Sequence, residues 1–530
     1  MPRIHVDGSE YEVAEGRTIL QALDDLGVLM NGVDIPHYCW HPKLSIDGSC
    51  RLCQVEVEGV PKLQIACNTP VADGMKIHTQ TERVRQAREG VMELLLVNHP
   101  LDCPICDQAG ECKLQDYAFE YGQRHARTRE PRRALKKRVD LGPTIVFDQE
   151  RCILCRRCVR FCREVPKTGE LAVFARGDHS VIETFPGTPL ANDYSMNVAD
   201  ICPVGALTTR DFRFKIRVWF LEDVPGVCTG CANGCNVHLG VANNRVYRYL
   251  PRRNDAVNET WICDAGRLSY HRIGASDRLA WPRVRNERGV LEERTAEQAI
   301  AAAAERLSRV IASKGAGAVG ALASPHATNE DLFALQRFLA ALGSSQSGVA
   351  VVRGASDALL VKPEKAANAA GARALGFGDA RPLLERVRGG AVEALLVLGH
   401  DVLDPAYPGS LEALRGLDTV IWLDTHHAEL ETIAHVILPA RHAAEKHGTL
   451  TNASGRVQRV EPAVEPPFEA LAEGELVWRL GAALALPGFA GDFDVRAVSK
   501  ALSQANSAFA GIDLDSVGPE GVVLRGGAGG

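Results

Sequence analysis

Arg151-Cys152-Ile153-Leu154-Cys155-Arg156-Arg157-Cys158-Val159-Arg160-Phe161-Cys162 decides the reading of this chain. Its spacing, C-x2-C-x2-C-x3-C, wraps thiolates around a [4Fe–4S] cubane. In two-cluster proteins built on this run the fourth cysteine ligates the other cluster, and a later Cys-Pro completes the first. Ile201-Cys202-Pro203 supplies that residue here. Cys152, Cys155, Cys158 and Cys202 therefore form one ligand set, and Cys162 is left as a buried thiol. Arg151, Arg156, Arg157 and Arg160 either offset the cluster's negative charge or form a solvated basic face.

Outward from this run, three further sets account for every other cysteine. Toward the N-terminus stand Cys39, Cys50, Cys53 and Cys67, spaced C-x10-C-x2-C-x13-C within residues 1–78, a small β-rich unit. A loop, a close pair and a distant fourth thiolate suit a [2Fe–2S] centre, with zinc as the competing metal. Between the two lies Asn98-His99-Pro100-Leu101-Asp102-Cys103-Pro104-Ile105-Cys106, continuing to Cys112. Three cysteines leave one iron of a cubane open, and an imidazole such as His99 can bind iron. The alternative makes His99 a helix cap, or a member of a Cys3His zinc site. The fourth set, Cys228, Cys231, Cys235 and Cys263, is a glycine-containing C-x2-C-x3-C loop closed after 27 intervening residues, again open to a cubane or zinc. Fifteen of the 16 cysteines and His99 are thus placed, and no cysteine follows Cys263. In a reducing compartment such cysteines are metal ligands rather than disulfides.

Composition limits the alternatives. A chain of 530 residues is long enough for three to five domains. Hydrophobic content of 46% and charged content of 24% are those of a globular protein, and a net charge of −6 gives no case for nucleic acid. The longest apolar runs, Leu94–Val97 and Ala394–Leu398, are too short to cross a bilayer, and Met1–His5 begins no signal peptide. The expectation is a cytoplasmic protein, attached to a membrane only through partners.

Periodicity places the local elements. Ile4–Gly8 and Tyr11–Val13 read as a hairpin, Thr18–Leu26 as a helix, and residues 82–97 as a helix with Val84, Ala87, Val91 and Leu94 on one face. From about residue 290 alanine-rich helices (Ala296–Ile311) alternate with buried strands (Ala394–Leu398, Val420–Leu423), an α/β pattern. Gly315–Gly320 matches G-x-G-x-x-G, but a helix precedes it and a strand follows, the reverse of a phosphate site. His427, Glu431 and His435 share helical spacing, yet Val436–Pro439 reads as a strand start, against a metal site. Arg124–Arg138, with eight Lys/Arg, is a solvated segment or a partner contact, and Arg525–Gly530 a flexible tail.

In the order of its sets the chain resembles the 75 kDa iron–sulfur subunit family of respiratory NADH–quinone oxidoreductase (complex I), whose bacterial members are called the G subunit. Asn98–Cys112 and Ile201–Thr208 carry the resemblance most closely; Ala434–Ala440, Glu445–Thr449 and Asn452–Gln458 carry it more loosely. Residues 224–500 also resemble molybdopterin oxidoreductases. The resemblance implies a [2Fe–2S] cluster on Cys39, Cys50, Cys53 and Cys67. It implies a histidine-ligated [4Fe–4S] cluster on His99, Cys103, Cys106 and Cys112, which decides against zinc there. A second [4Fe–4S] cluster on Cys152, Cys155, Cys158 and Cys202 continues the relay. The fourth set matches an extra [4Fe–4S] cluster of some members, apart from the main path, for which a structural role is favoured. Cys162 and a short C-terminal region are the departures.

The implied fold is multidomain, α+β and α/β. Its parts are a β-grasp ferredoxin-like [2Fe–2S] domain (1–78), a helical His/Cys3 [4Fe–4S] module (79–142), a ferredoxin-like [4Fe–4S] module (143–220), a fourth cluster domain (221–285) and a molybdopterin-oxidoreductase-like α/β domain without its cofactor (286–530). The implied function is electron relay within a proton-translocating NADH:quinone oxidoreductase, with no substrate site in this chain. The implied partners are a flavin/NADH-binding subunit, other hydrophilic iron–sulfur subunits and, through them, membrane subunits, on the cytoplasmic side of the inner membrane. The alternative is a diaphorase-side subunit of an NAD-linked hydrogenase or formate dehydrogenase. A molybdenum-containing catalytic subunit would normally show a thiolate or selenolate after Cys263, and only about seventy residues follow Gln458. An iron-only hydrogenase would need another downstream cysteine block. A zinc-rich interaction protein is the non-redox rival.

Overall fold

Short strands that alternate apolar and polar residues close the first layer around the N-terminal cysteines. Arg3–Val6 and Ser9–Glu12 pair antiparallel about a turn in which Asp7 and Gly8 adopt positive φ (47° and 90°). Lys76–His78 lies parallel to Arg3–Val6, then Gln54–Val57 and Gln64–Ile65 follow antiparallel, giving a five-stranded mixed sheet. The helix Ile19–Asp25, closed by a Thr18/Gln21 capping box, buries Ile19, Leu20, Ala22 and Leu23 in the same core as Ile4, Val6, Val55 and Ile77. These are the hairpin and helix expected from the sequence. The computed structural model describes residues 1–123 and 125–525 and falls into two compact units, residues 1–221 and the chain from Glu222 onward. Arg124 and the Gly526–Gly530 part of the expected flexible tail lie outside the described residues.

The expected helix over 82–97 spans Glu82–Leu96, capped by Thr81, but its inward face differs from the one read above. It buries Val84, Arg88 and Met92, while Leu94 is 76% exposed. Arg88 displaces the apolar choice because its guanidinium finds partners where it is buried. It donates to the Tyr121 hydroxyl at 3.1 Å and the Gln54 carbonyl at 3.2 Å, and lies over the Tyr121 ring. The rest of this unit includes the helix Lys113–Tyr121, a three-stranded antiparallel sheet (Leu207–Thr209, Ile145–Phe147, Val139–Asp140), the helices Arg157–Glu164 and Asn197–Asp200 and the hairpin Leu171–Phe174/Val181–Thr184.

The second unit opens with an antiparallel meander, Glu222–Val227, Asn236–Ala242 and Arg245–Pro251. It continues into a seven-stranded sheet ordered Leu291–Glu293, Arg283–Arg285, Val436–Pro439, Thr419–Asp424, Ala394–Leu398, Val319–Ala323, Gln346–Val349. The last five run parallel; the first four of them are buried throughout, as the apolar runs Ala394–Leu398 and Val420–Leu423 require, and the edge strand Gln346–Val349 is half-buried. Helices Ala296–Lys314, Asn329–Leu342 and Glu473–Ala483 pack their apolar stripes into one core with this sheet. Gly315 (φ 84°) ends the first of these helices ahead of the strand Val319–Ala323, in the helix-then-strand order expected of that glycine run.

Candidate iron–sulfur sites

The first set gathers inside the mixed sheet's loop. Cys39, Cys53 and Cys67 are buried, and Cys50 is partly so. Thiol hydrogen bonds from Cys50 and Cys67 push Cys39 well below the ordinary thiol range, and Cys67 does the same to Cys53. Cys67 itself is pushed strongly up by its bonds to Cys39 and Cys53, and Cys50 by its bond to Cys39, so hydrogen bonds link the four thiols.

In the second set Cys106 and Cys112 are buried and Cys103 is exposed on the short helix Cys103–Ile105. Burial raises Cys112 to about 11, with Cys106 and Cys103 adding to the rise. His99 is held down at about 4 by burial, then by Arg151, so the imidazole is neutral at neutral pH. Its buried Nδ1 has no hydrogen-bond partner, and it lines a cavity of about 210 Å3 together with Cys152.

The third set is built by an unusual loop. Leu154 and Arg156 both take left-handed φ (53° and 59°), folding Cys152–Cys155 back so that the Leu154 amide donates to Cys152 Sγ at 3.4 Å. Cys155 and Cys158 lie in the electrostatic neighbourhood of Cys202, and burial raises Cys202 to about 12. Cys162, fully buried and held up at about 12 by burial and then Glu170, stays a neutral thiol. The arginines of this run divide. Arg151 and Arg160 are buried (5% and 4% exposed), Arg157 is half-buried, and only Arg156 is solvated.

These three sets are neighbours. Arg157 donates to the carbonyls of Trp40 and Ile201, and Arg160 to those of Ser45, Cys39 and Cys155. The Cys202 loop in turn lies against the second set. Cys112 Sγ donates to the Pro203 carbonyl at 4.0 Å, and a Cβ on Gly205 would stand 2.2 Å from Cys106 Sγ. Gly205→Ala is therefore expected to cost the second site its cluster, about four irons per chain, with the other centres retained. Iron analysis with EPR of the reduced protein checks this; full iron content in the variant would refute it.

The fourth set lies in the second unit. The Cys228 amide bonds the Cys235 carbonyl at 2.8 Å, closing the loop, and the Gly266 amide donates to Cys263 Sγ at 3.3 Å. Asn233 Nδ2 donates to Cys235 Sγ at 3.1 Å. The loop is clamped from far along the chain: Asn452 Nδ2 reaches the Asn233 carbonyl (3.1 Å) and Gln458 Nε2 the Gly234 carbonyl (3.0 Å). Gly266 leaves room for both Cys228 and Cys263, each Sγ 3.1 Å from where its Cβ would be.

Among the described residues no three or more Cys, His, Asp or Glu side chains converge on a point for a single ion. A cluster spreads its sulfurs around a polyatomic cage, so gathered thiols, not convergence, are its mark. The residues fit that group. Thiols meet in closed loops, glycines stand where side chains would intrude on sulfur, and His99 keeps a free buried nitrogen. The trio His427, Glu431 and His435 does not assemble a metal site. Glu431 binds Arg283 (3.0 Å) and His427, whereas His435 Nδ1 accepts from the Val420 amide at 3.0 Å as the strand Val436–Pro439 begins. In the basic stretch Arg127 pairs with Glu93, and Lys137 with Asp102 at 2.6 Å and Glu150 at 2.5 Å. No described helix is long and apolar enough to cross a membrane.

Family models match along most of the chain. A 2Fe-2S iron-sulfur cluster binding domain covers residues 2–82. The NADH-ubiquinone oxidoreductase-G iron-sulfur binding region covers 88–127, and the NADH-quinone oxidoreductase subunit 3 ferredoxin-like domain 142–208. The NDSU1/NuoG-like 4Fe-4S domain covers 224–271, and molybdopterin oxidoreductase 358–477. The class is thus a multi-cluster iron–sulfur protein joined to a molybdopterin-oxidoreductase fold. The G subunit of NADH-quinone oxidoreductase from Rickettsia felis is 41% identical over 349 residues, 66% of this chain and 50% of that one. The mitochondrial NADH dehydrogenase [ubiquinone] iron-sulfur protein 1 of Solanum tuberosum is 40% identical over 342 residues, 64% and 45% of the two chains. The NADH-ubiquinone oxidoreductase 75 kDa subunit of Reclinomonas americana is 45% identical over 270 residues, 51% and 38%. Through these matches the chain is similar to NADH-quinone oxidoreductase G, or 75 kDa, subunits. It spans about half the length of the curated relatives it matches. A NAD+-reducing [NiFe]-hydrogenase structure, 28% identical over 41% of this chain and 91% of its own, superposes too loosely (TM-score 0.36) to bear on function.

Proposed function

We propose that this chain is the iron–sulfur electron-relay subunit of a proton-translocating NADH-quinone oxidoreductase, passing electrons from an NADH/flavin subunit toward quinone. The observation that carries the reading is the contiguity of three thiol sets in one unit. The first is bonded to the third through Arg157 and Arg160, and the third packs on the second at Gly205. The clusters, when bound, supply one-electron redox chemistry; the chain supplies position, hydrogen bonds to sulfur and exclusion of water.

In this reading Cys39, Cys50, Cys53 and Cys67 hold a [2Fe–2S] cluster. Three [4Fe–4S] clusters are held by His99 with Cys103, Cys106 and Cys112, by Cys152, Cys155, Cys158 and Cys202, and by Cys228, Cys231, Cys235 and Cys263. The unpartnered buried Nδ1 of His99 supports its place as a ligand. The domain limits follow the sets: 1–78, 79–142, 143–220, 221–285 and 286–530. The partners are the flavin/NADH subunit, other hydrophilic iron–sulfur subunits and, through them, membrane subunits, on the cytoplasmic face of the inner membrane.

The last domain is read as a scaffold without molybdopterin. Its cavity beside Thr229 and Gly230 measures about 280 Å3, below the usual range for even a drug-sized ligand. Its lining includes the His400–Asp424 pair (2.6 Å) and no cysteine. On this reading the domain keeps the fold and holds no cofactor.

Iron and molybdenum per chain, measured after anaerobic purification, test the proposal. About fourteen irons and no molybdenum are expected, from one binuclear and three cubane centres. Stoichiometric molybdenum would make this a catalytic subunit instead. Co-purification with membrane subunits separates the respiratory assembly from the diaphorase side of an NAD-linked hydrogenase or formate dehydrogenase.

A further inference from the structure

The helix Arg157–Glu164 presents Arg157, Arg160 and Glu164, spaced i, i+3, i+7, on one face. All three bond to the loop that carries Cys39. Glu164 accepts from the Ser45 amide (2.8 Å) and hydroxyl (2.6 Å), and Arg160 donates to the Ser45 carbonyl. One amine of Arg160, Nη2, is shared between the carbonyls of Cys39 and Cys155, ligand residues of two different sets. Arg157 repeats the arrangement one position along, joining Trp40, next to Cys39, to Ile201, next to Cys202. The two guanidinium groups therefore cross-tie the first and third ligand loops at both ends.

Charge acts in the same place. Each guanidinium keeps a buried Nε–H with no acceptor in the protein. Cys155, Cys39, Cys50 and Cys202 all pull on Arg157 electrostatically, against the burial that lowers it. No carboxylate pairs with Arg157 or Arg160 among the described contacts; in this run Asp47 goes to Arg156 at 3.7 Å, and Asp102 and Asp148 go to Arg151 at 3.2 and 3.3 Å. A bidentate fork fixes geometry in a way that a lysine point charge does not. A charge buried away from a counter-ion acts at far lower effective dielectric than a surface arginine.

We propose that Arg157 and Arg160 are positioning residues shared by two redox centres, fixing the separation of the first and third sets and favouring the reduced form of both. The inference rests on the ligand assignment above. Adding an electron makes either centre more negative, so a fixed positive charge between them raises both potentials together. Removing one should lower both.

The test is a potentiometric EPR titration of the full chain, purified anaerobically with its partners, as wild type, Arg160→Met and Arg160→Lys. Arg160→Met is expected to shift the reduced-to-oxidised ratio of the first and third centres about tenfold toward oxidised at a given potential. For one-electron couples that is about 59 mV downward. The second centre should move by less than a third of this, and Arg160→Lys should recover most of the shift because it keeps the charge. Full iron content with neither potential changed, or with only one centre changed, would overturn the proposal. So would a lysine variant as displaced as the methionine variant. If Arg160→Met loses iron, Arg157→Gln, on the less buried arginine, carries the same comparison: both potentials lowered supports the proposal, and neither or only one lowered overturns it. A wild-type protein without both clusters would instead sink the ligand assignment itself.

Discussion

Replacing Lys446 by methionine is expected to destabilise the second unit by about 3–5 kcal/mol, the usual effect of stranding buried charge. Lys446 is 4% exposed and donates to Asp331 at 2.8 Å and to Glu473, both also buried. Asp331 is committed further: the oxygen that meets Lys446 also accepts from the Thr328 hydroxyl (2.7 Å) in a helix capping box, and its other oxygen accepts from the Gly474 amide (2.8 Å). Removing the ammonium leaves two carboxylates facing one another with no cation. The effect should depend on pH. Burial raises Glu473 to about 7 from an ordinary carboxylate value, with Lys446 opposing the rise. A folded-state value above the unfolded one means the folded protein holds the proton more tightly. The associated stability is complete below the unfolded value and is lost as pH rises through about 7. Loss of Lys446 removes the ammonium charge that opposes the rise, so destabilisation on going from pH 5 to pH 8 should be steeper in the variant. Denaturant midpoints across that range, read on the far-UV signal, provide the check. A variant with wild-type midpoints at pH 8 would show that the triad does not hold this domain.

Cys228→Ala should have a comparably large effect by another route. Metal binding to a loop unformed in the unfolded chain is itself folding free energy, on the order of 10 kcal/mol in small zinc domains. The loop Cys228–Cys235 has little apolar core of its own; Val227 shares a small cluster with Ala367, Leu450 and Val460. The variant should lose about four of roughly fourteen irons. It should also release the bonds from Asn452 and Gln458, so that hydrogen exchange rises at residues 228–236 and 450–460 together. Retention of all irons would remove Cys228 from the ligand set, and exchange rising only in the first segment would mean that the clamp stands without the cluster.

Much of this was legible in the sequence because ligand spacing is a local signal. The run from Cys152 to Cys158 and the loop from Cys228 to Cys235 each lie within a single turn or two of chain. The parallel strands announced themselves as unbroken apolar runs. What stayed hidden depends on distant partners. Arg88 looks like a surface residue in a helix read by period, because nothing local reveals that Tyr121 and Gln54 will satisfy its guanidinium. Gly205 gives no hint of Cys106, 99 positions earlier, whose sulfur needs its missing side chain. The arginines beside the cysteines left two readings open, and burial divides them residue by residue: Arg156 is solvated, Arg151 and Arg160 are not. Asn452 and Gln458 sat in a stretch with a loose family likeness, but only the fold reveals that they grip the fourth loop.

That grip spans 224 residues between Gly234 and Gln458. A ribosome adding about 5–20 residues per second needs roughly 10–45 seconds to go from one to the other. For that interval the nascent chain presents Cys228, Cys231, Cys235 and Cys263 without the segment that later encloses them. On the ligand assignment proposed above, the fourth site is thus a late-closing one, its thiols open during synthesis to oxidants and stray zinc. Slow translation, or oxygen during expression, should empty this site ahead of the N-terminal three.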